Sequence, residues 1–477
     1  MGGRLRAVAT TCLMLNFVVQ PVPPPLAALV PAPPEYRFTW GFQGSEPGAF
    51  NSQFHLAVDS QDRVIVADEG NERIQIFTRG GVLLDEFGSA GTGPGEFSSP
   101  FGVAVDSADR IIVADTFNNR IQIFDASGNF QSEFGSGGSG AGQFATPFGV
   151  VVNSKGHIVV ADTNNDRIQV FTADGTFIRM FGTEGTGAGE MDNPIDVAVD
   201  DDDRVYAVEE IGDRVSVFKA NGAFVRNFGS EGAENGQFSS PDGIFVDHQR
   251  RVYIADNNTR IQVHNHNGDY LFTFGSAGMG NGQFTTPGDV VLDSTDRIFV
   301  SDRGAHRVQA WQYKKCHGEP ATIVGSAGDD VIDGTSGKDV IVGLGGDDVI
   351  RGMGGNDVIC GGAGLDLLIG GDGHDLLDGG GGDDELRGRL GNDTLIGGKG
   401  VDLLRGDDGD DTLAGGTRGD ELRGGDGADT LSGGKGGDLL KGNRGRDLLQ
   451  GGPGDDVCDG GKATDTGKGC ETEIDIP

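Results

Sequence analysis

An aspartate returns every nine residues through the last third of the chain, with no slip in register. The sixteen are Asp330, Asp339, Asp348, Asp357, Asp366, Asp375, Asp384, Asp393, Asp402, Asp411, Asp420, Asp429, Asp438, Asp447, Asp456 and Asp465. A glycine stands five residues before each one, as in Gly325, Gly334 and Gly343, and a second stands two residues before most, as in Gly328, Gly346 and Gly355. Two residues after comes a large aliphatic: Ile332, Ile341, Ile350, Ile359, then Leu368 through Leu449. Neither a helix nor an ordinary strand has such a period, so the pattern implies stacked turns. Glycine reaches backbone conformations closed to other residues and leaves carbonyls unshielded. Calcium takes about six to eight oxygens from carboxylates and carbonyls. A turn such as Gly361 to Asp366 offers both kinds. Leu367, Leu368 and Ile369 then read as a short strand whose middle side chain points inward. Stacked coils would hold a thin aliphatic core between two rows of ions.

On these residues, 325–465, the chain resembles the RTX calcium-binding repeat family, with its Gly-Gly-x-Gly-x-Asp-x-aliphatic-x unit. The resemblance implies a parallel β-roll that binds several Ca2+ ions. It implies Asp330 through Asp456 of the series as metal ligands. Arg418 and Ala463 replace the second glycine and mark weak turns. In the last copy Gly467 stands at the inward position, so a frayed cap is expected there. Glu385 and Glu421 are expected to face solvent. The segment is strongly acidic, and glycine is costly to order. Without calcium it should behave as a linker, with metal binding coupled to folding.

A longer period fills residues 36–315. Arg-Ile-Gln-Ile-Phe at Arg73–Phe77 recurs at Arg120, Arg167, Arg214, Arg260 and Arg307, spaced by 47 residues four times and by 46 once. A period in the forties made of short strands and turns points to propeller blades. One unit reads as strands at Phe101–Asp106, Arg110–Asp115, Arg120–Phe124 and Phe130–Phe134, then a glycine-rich crossing at Gly142-Gln143-Phe144. This combination resembles the NHL repeat family. Fourth strands follow five of the six third strands, and none follows Trp311. An orphan copy, Tyr36 to Gly41, precedes the first unit. It would complete the last blade and remove the exposed sheet edges. The fold class predicted is all-β: a six-bladed β-propeller followed by a parallel β-roll.

The recurring Asp-x-x-Asn-x-Arg (Asp68/Asn71/Arg73, Asp115/Asn118/Arg120, Asp162/Asn165/Arg167) reads as architecture, because Asp and Asn bond local backbone in turns and these copies repeat it position by position. The fourth unit breaks the pattern with Glu209-Glu210. Inner strands open on variable pairs: Phe54-His55, Phe101-Gly102, Phe148-Gly149, Ile195-Asp196, Asp242-Gly243 and Gly288-Asp289. Strand starts lie near the central channel. His55, Asp196, Asp242 and Asp289 are therefore candidates for a cation site at one opening, and a solvated channel mouth is the plainer reading.

A net charge of −36 argues against nucleic acid and anionic membrane surfaces. The start, with Arg4 and Arg6 before the apolar run Ala7 to Val19, reads as a secretory signal too short to span a bilayer. The domain boundaries expected are signal and Pro-rich spacer 1–35, propeller 36–315, linker 316–324, roll 325–468 and tail 469–477. Cys12 lies in the signal. Cys316, Cys360, Cys458 and Cys470 allow three disulfide pairings. Cys458–Cys470 would pin the last coil and Cys316–Cys360 would tie the propeller to the roll; a buried free thiol at Cys458 is the alternative.

Two functional classes follow. One is an extracellular or cell-surface bacterial protein whose roll folds on calcium and whose propeller binds an unknown protein or glycan, as the NHL resemblance implies. It would have no nucleic-acid partner and no membrane span in the mature chain. The other is a propeller enzyme, similar to lyases or lactonases, with a metal in the channel. The cysteine patterns of ubiquitin-ligase modules are absent from the sequence.

Overall fold

The second strand of a repeat, such as Ile111–Asp115, is short and buried along its whole length, as a strand sandwiched between neighbouring sheets must be. The structure, a computed structural model, describes residues 31–462, 465–470 and 472–474. Among these there is no α-helix. Six four-stranded antiparallel sheets form the propeller. In the second blade, Pro100–Val105 pairs with Ile111–Asp115, then Arg120–Phe124, then Phe130–Phe134. Glu35–Trp40 pairs with Arg307–Gln312 and completes the sixth blade. The ring is closed by the orphan strand, as its sequence position predicts.

Blades adhere through apolar side chains packed sheet on sheet. Ile65, Ile74 and Ile76 of the first blade meet Phe97, Val103, Val113 and Phe124 of the second. Phe97 comes from the crossing loop and is fully buried. It lies where a side chain on Gly88 would project, since a Cβ there would fall 2.4 Å from its ring; Gly88 also has φ +102°. The same pairing of glycine and loop aromatic recurs at Gly41 with Phe50 and Gly135 with Phe144.

The Asp-x-x-Asn-x-Arg motif is the staple of the first three blades, and its Asp–Arg pair recurs in the fifth and sixth at Asp256–Arg260 and Asp302–Arg307. Asp115 accepts from Ser98 N (2.7 Å), Asn118 Nδ2 (2.9 Å), Arg120 Nε (2.7 Å) and Gln122 Nε2 (3.0 Å). Arg120 then donates to the carbonyls of Gly93 and Glu96 in the crossing loop. In the fourth blade Glu209 takes the aspartate's place and accepts from Arg214 Nε at 2.9 Å. Ser216, standing where other blades carry glutamine, donates to it. The longer acid is matched by a shorter partner.

The repeats after residue 322 wind into a parallel β-solenoid of two nine-stranded sheets. Before the last turn, each strand pairs with one eighteen residues on, as Ile341 does with Ile359. Between the sheets runs a single column of side chains, Ile341, Ile350, Ile359, Leu368 and onward to Leu449 and Cys458, all fully buried. Most strands have six residues, as in Leu367–Asp372, because pairing continues into the turn rather than stopping after three. The expected linker is structured: Lys315–Cys316 pairs with Glu319–Pro320, and Ile323–Val324 already joins the solenoid sheet. In the expected tail, Thr472–Ile474 pairs with Val457–Asp459. The last copy, expected to fray, pairs through Thr466–Lys468, while Ala463 lies outside the described residues. So does the expected signal segment up to residue 30, with Cys12. Of the three possible pairings, the disulfides are Cys316–Cys360 and Cys458–Cys470. Among the described residues no helix is long and apolar enough to cross a membrane.

Candidate metal centres

From Asp348 onward each solenoid aspartate is held by the coil that precedes it. The N–H of Asp339 donates to Asp357 Oδ1 (2.7 Å), that of Asp348 to Asp366 Oδ1 (2.9 Å), and so on to Asp447 and Asp465 (2.8 Å). The ladder consumes one oxygen of each carboxylate. The second oxygen, Oδ2, is buried and has no hydrogen-bond partner at Asp348, Asp357, Asp366, Asp375, Asp384, Asp393, Asp402, Asp411, Asp420, Asp429, Asp438 and Asp447. Leaving so many buried acceptors unsatisfied costs about 1–3 kcal/mol each, more if charged.

The glycine five residues earlier explains the packing. A Cβ on Gly343 would fall 2.3 Å from Asp348 Oδ2 and 2.5 Å from the carbonyl oxygen of Gly361. On Gly352 it would meet Asp357 Oδ2 at 2.2 Å and the Gly370 carbonyl at 2.7 Å. Carboxylate and carbonyl oxygens thus converge beside a bare Cα, which is the donor set a hard cation takes. Burial, helped by neighbouring aspartates, pushes several carboxyls up, Asp357, Asp384, Asp393 and Asp429 to about 7 and Asp366 and Asp411 to about 6. These residues fit calcium, which when bound would supply the positive charge that the rows otherwise lack.

The first two expected ligands differ from the rest. Asp330 Oδ2 accepts from Ser326 N (2.6 Å) and Oγ (2.9 Å). Asp339 Oδ2 accepts likewise from Thr335 N (2.6 Å) and Oγ (2.8 Å). Both oxygens in question are satisfied by protein. The signal was in the sequence: a hydroxyl residue follows the first glycine in these two turns and in no later one. Arg418, flagged as a weak point, keeps the turn by holding φ +80° itself. The ladder runs through Asp420 regardless, its N–H reaching Asp438 Oδ1 at 2.9 Å. Glu385 and Glu421 are half-buried and bind Arg387 and Arg423.

In the propeller the four channel candidates divide. His55, Asp196 and Asp289 come together, with one donor atom from each inside a 4.8 Å span. His55 Nε2 lies 3.6 Å from Asp196 Oδ1, and Nδ1 lies 3.7 Å from Asp289 Oδ2. All three are buried, unlike the solvated mouth the plainer reading expected. Asp242 is not part of the group; its Oδ2 accepts from Arg303 at 3.2 Å. Burial pushes the Asp242 carboxyl up to about 7 and the His55 imidazole down to about 3. It raises Asp196 and Asp289 too; the Asp289 charge adds to the rise at Asp196, and the Asp242 charge adds to both. Phe101 packs on the histidine at 5.6 Å and on Phe148 at 4.3 Å; the Phe54 side chain lies outside the described set. The glycines of the variable pairs had a role that sequence reading missed. A Cβ on Gly149 would fall 2.3 Å from Asp196 Oδ1, and one on Gly243 2.7 Å from Asp289 Oδ1.

Known proteins share parts of this chain. The RTX calcium-binding nonapeptide repeat matches residues 322–350, 333–368, 369–404, 405–440 and 432–466. The NHL repeat matches residues 56–77, 97–124, 144–171 and 284–311. The E3 ubiquitin-protein ligase TRIM32 of Homo sapiens is 58% identical over 43 residues, which is 9% of this chain and only 7% of the ligase's length. That of Mus musculus is 56% identical over 43 residues, with the same shares of each chain. Similar solved structures include a streptogramin B lyase (17% identity, 58% of this chain, 88% of that one, TM-score 0.43). A gluconolactonase from Xanthomonas campestris has 15% identity, with 61% of this chain and 99% of that one covered, at TM-score 0.44. The chain carries NHL repeats in a six-bladed propeller and RTX calcium-binding repeats in a parallel β-solenoid.

Proposed function

We propose that this is an extracellular or cell-surface bacterial protein whose solenoid folds on calcium and whose propeller is a rigid platform for a protein or glycan partner. The observation that carries the calcium half is the row of buried, unpartnered Oδ2 atoms from Asp348 to Asp447. A cation in millimolar supply outside cells suits sites of this kind. Support for the platform comes from where the repeat spends its polar groups. The Asp, Asn, Arg and Gln of the first three blades, and their counterparts in the others, are used up in staples, so they hold shape rather than a ligand. The loops that the staples bind carry exposed apolar residues, Phe42 and Met279, and so do the turns within the staples, Phe117 and Ile211. Asn71 holds the carbonyl of Gly44 in one such loop and Arg307 that of Met279 in another. This face is therefore apolar in places and pre-organised, as a binding surface requires.

Differential scanning calorimetry of the full chain tests the reading. With calcium, two transitions are expected, the solenoid's moving upward with calcium concentration and the propeller's fixed. A solenoid transition indifferent to calcium and chelator would overturn it.

A further inference from the structure

We propose that His55, Asp196 and Asp289 form a divalent transition-metal site on the propeller axis, separate from the calcium rows of the solenoid. His55 belongs to the first blade, Asp196 to the opposite fourth blade and Asp289 to the sixth. An ion there would join three blades across the ring.

Several independent features point to a cation. His55 Nε2 is buried and has no hydrogen-bond partner, yet faces Asp196 Oδ1 at 3.6 Å. That separation suits two ligands of one ion with bonds of about 2.0–2.2 Å. Asp289 stands at the other nitrogen of the ring, 3.7 Å from Nδ1. This places it to orient the imidazole, as carboxylates behind ligating histidines do. The carboxylates are themselves fixed in position. Asp196 accepts from Val197 N (2.7 Å) and from Ile244 N of the fifth blade (2.9 Å). Asp289 accepts from Val290 N (2.7 Å) and from Leu56 N of the first blade (2.8 Å). Two anions so held in a buried site are costly without a positive partner. Glycine at 149 and 243 lets them approach the axis.

The ligand chemistry names the class of ion. Calcium prefers oxygen throughout, whereas imidazole with carboxylate suits zinc, cobalt and related metals. The site closes one end of a channel of about 170 Å³ walled by Leu56, Val103, Val150, Val197 and Ile244. That volume admits waters to complete the coordination shell and excludes a large ligand.

The alternative is that both aspartates serve only as latches between blades. Full-length protein, stripped of metal and returned to saturating calcium, is titrated with Co2+ and then Zn2+. Bound equivalents and cobalt absorption are read. Wild type should bind one equivalent that calcium does not displace, with absorption typical of nitrogen and oxygen ligands. His55→Gln keeps the ring's volume nearly unchanged and leaves both latches in place; it should lose that equivalent and keep its calcium stoichiometry. Should His55→Gln fail to fold, Asp289→Asn is read instead, with at least tenfold weaker Co2+ binding expected. No bound equivalent in wild type, equal binding in the variant that folds, or an equivalent exchanged freely by calcium would each overturn the proposal.

Discussion

The glycines beside the aspartates are where the solenoid is least tolerant. Gly343→Ala would place a methyl 2.3 Å from Asp348 Oδ2 and 2.5 Å from a backbone carbonyl. We expect a loss of about 1–3 kcal/mol in calcium and a higher calcium midpoint, measured by thermal melts at several calcium concentrations. Arg418→Gly should act oppositely. Its φ of +80° costs a side chain about 1–2 kcal/mol, so the glycine variant should melt higher in the same assay. The aspartate register and its glycines were legible in the sequence because they repeat without a break. What Ser326 and Thr335 do was not, since a hydroxyl's partner depends on how a turn folds back on its own aspartate. Nor was the parting of Asp242 from Asp196 and Asp289. All three open inner strands, but Arg303, from another blade's hairpin, decides which carboxylate turns aside.

At the scale of the element, a blade depends on its staple and a coil on its charge. Asp115→Ala removes the acceptor of four donors and leaves Arg120 buried without its main counter-charge. A loss of about 3–5 kcal/mol in propeller stability is expected, read by denaturant unfolding. The fourth blade allows a sharper comparison. Glu209→Asp and Ser216→Gln should each destabilise, and the double variant, which restores the pattern of the other blades, should recover most of the loss in a double-mutant cycle. The irregular Glu209 was visible in the sequence; that Ser216 compensates it was not, because the two meet only across the hairpin. The solenoid's aspartates set a pH dependence. Their carboxyls are raised in the folded coil, so without calcium the folded form binds more protons than the unfolded chain. Their contribution is fully present below the unfolded value of about 4 and is lost as pH rises through about 6 to 7. In chelator, circular dichroism should therefore show more solenoid β-structure at pH 5 than at pH 8. Equal content at both would contradict the burial of these groups.

The whole molecule pairs a ring with many inter-blade contacts and a stack with a thin core. The propeller has closed sheets and inter-blade cores, whereas the solenoid has one column of aliphatics and a net-acidic shell within a chain of charge −36. The Cys316–Cys360 disulfide joins the two, and the early coils pack on Cys316 and Ala321 through Val340, Val342 and Val358. Architecture was readable from two periods because each repeat buries its faces against the next. The structured joint was not, since its short strands have no period of their own. The most direct measurement is a calcium titration of the full chain followed by far-UV circular dichroism and limited proteolysis, with a chelator control. The account predicts a cooperative gain of β-signal in the sub-millimolar to millimolar range, with residues 325–465 passing from cleaved to protected and the propeller protected throughout. A solenoid already protected in chelator at pH 8, or one that stays cleaved in calcium, would contradict it.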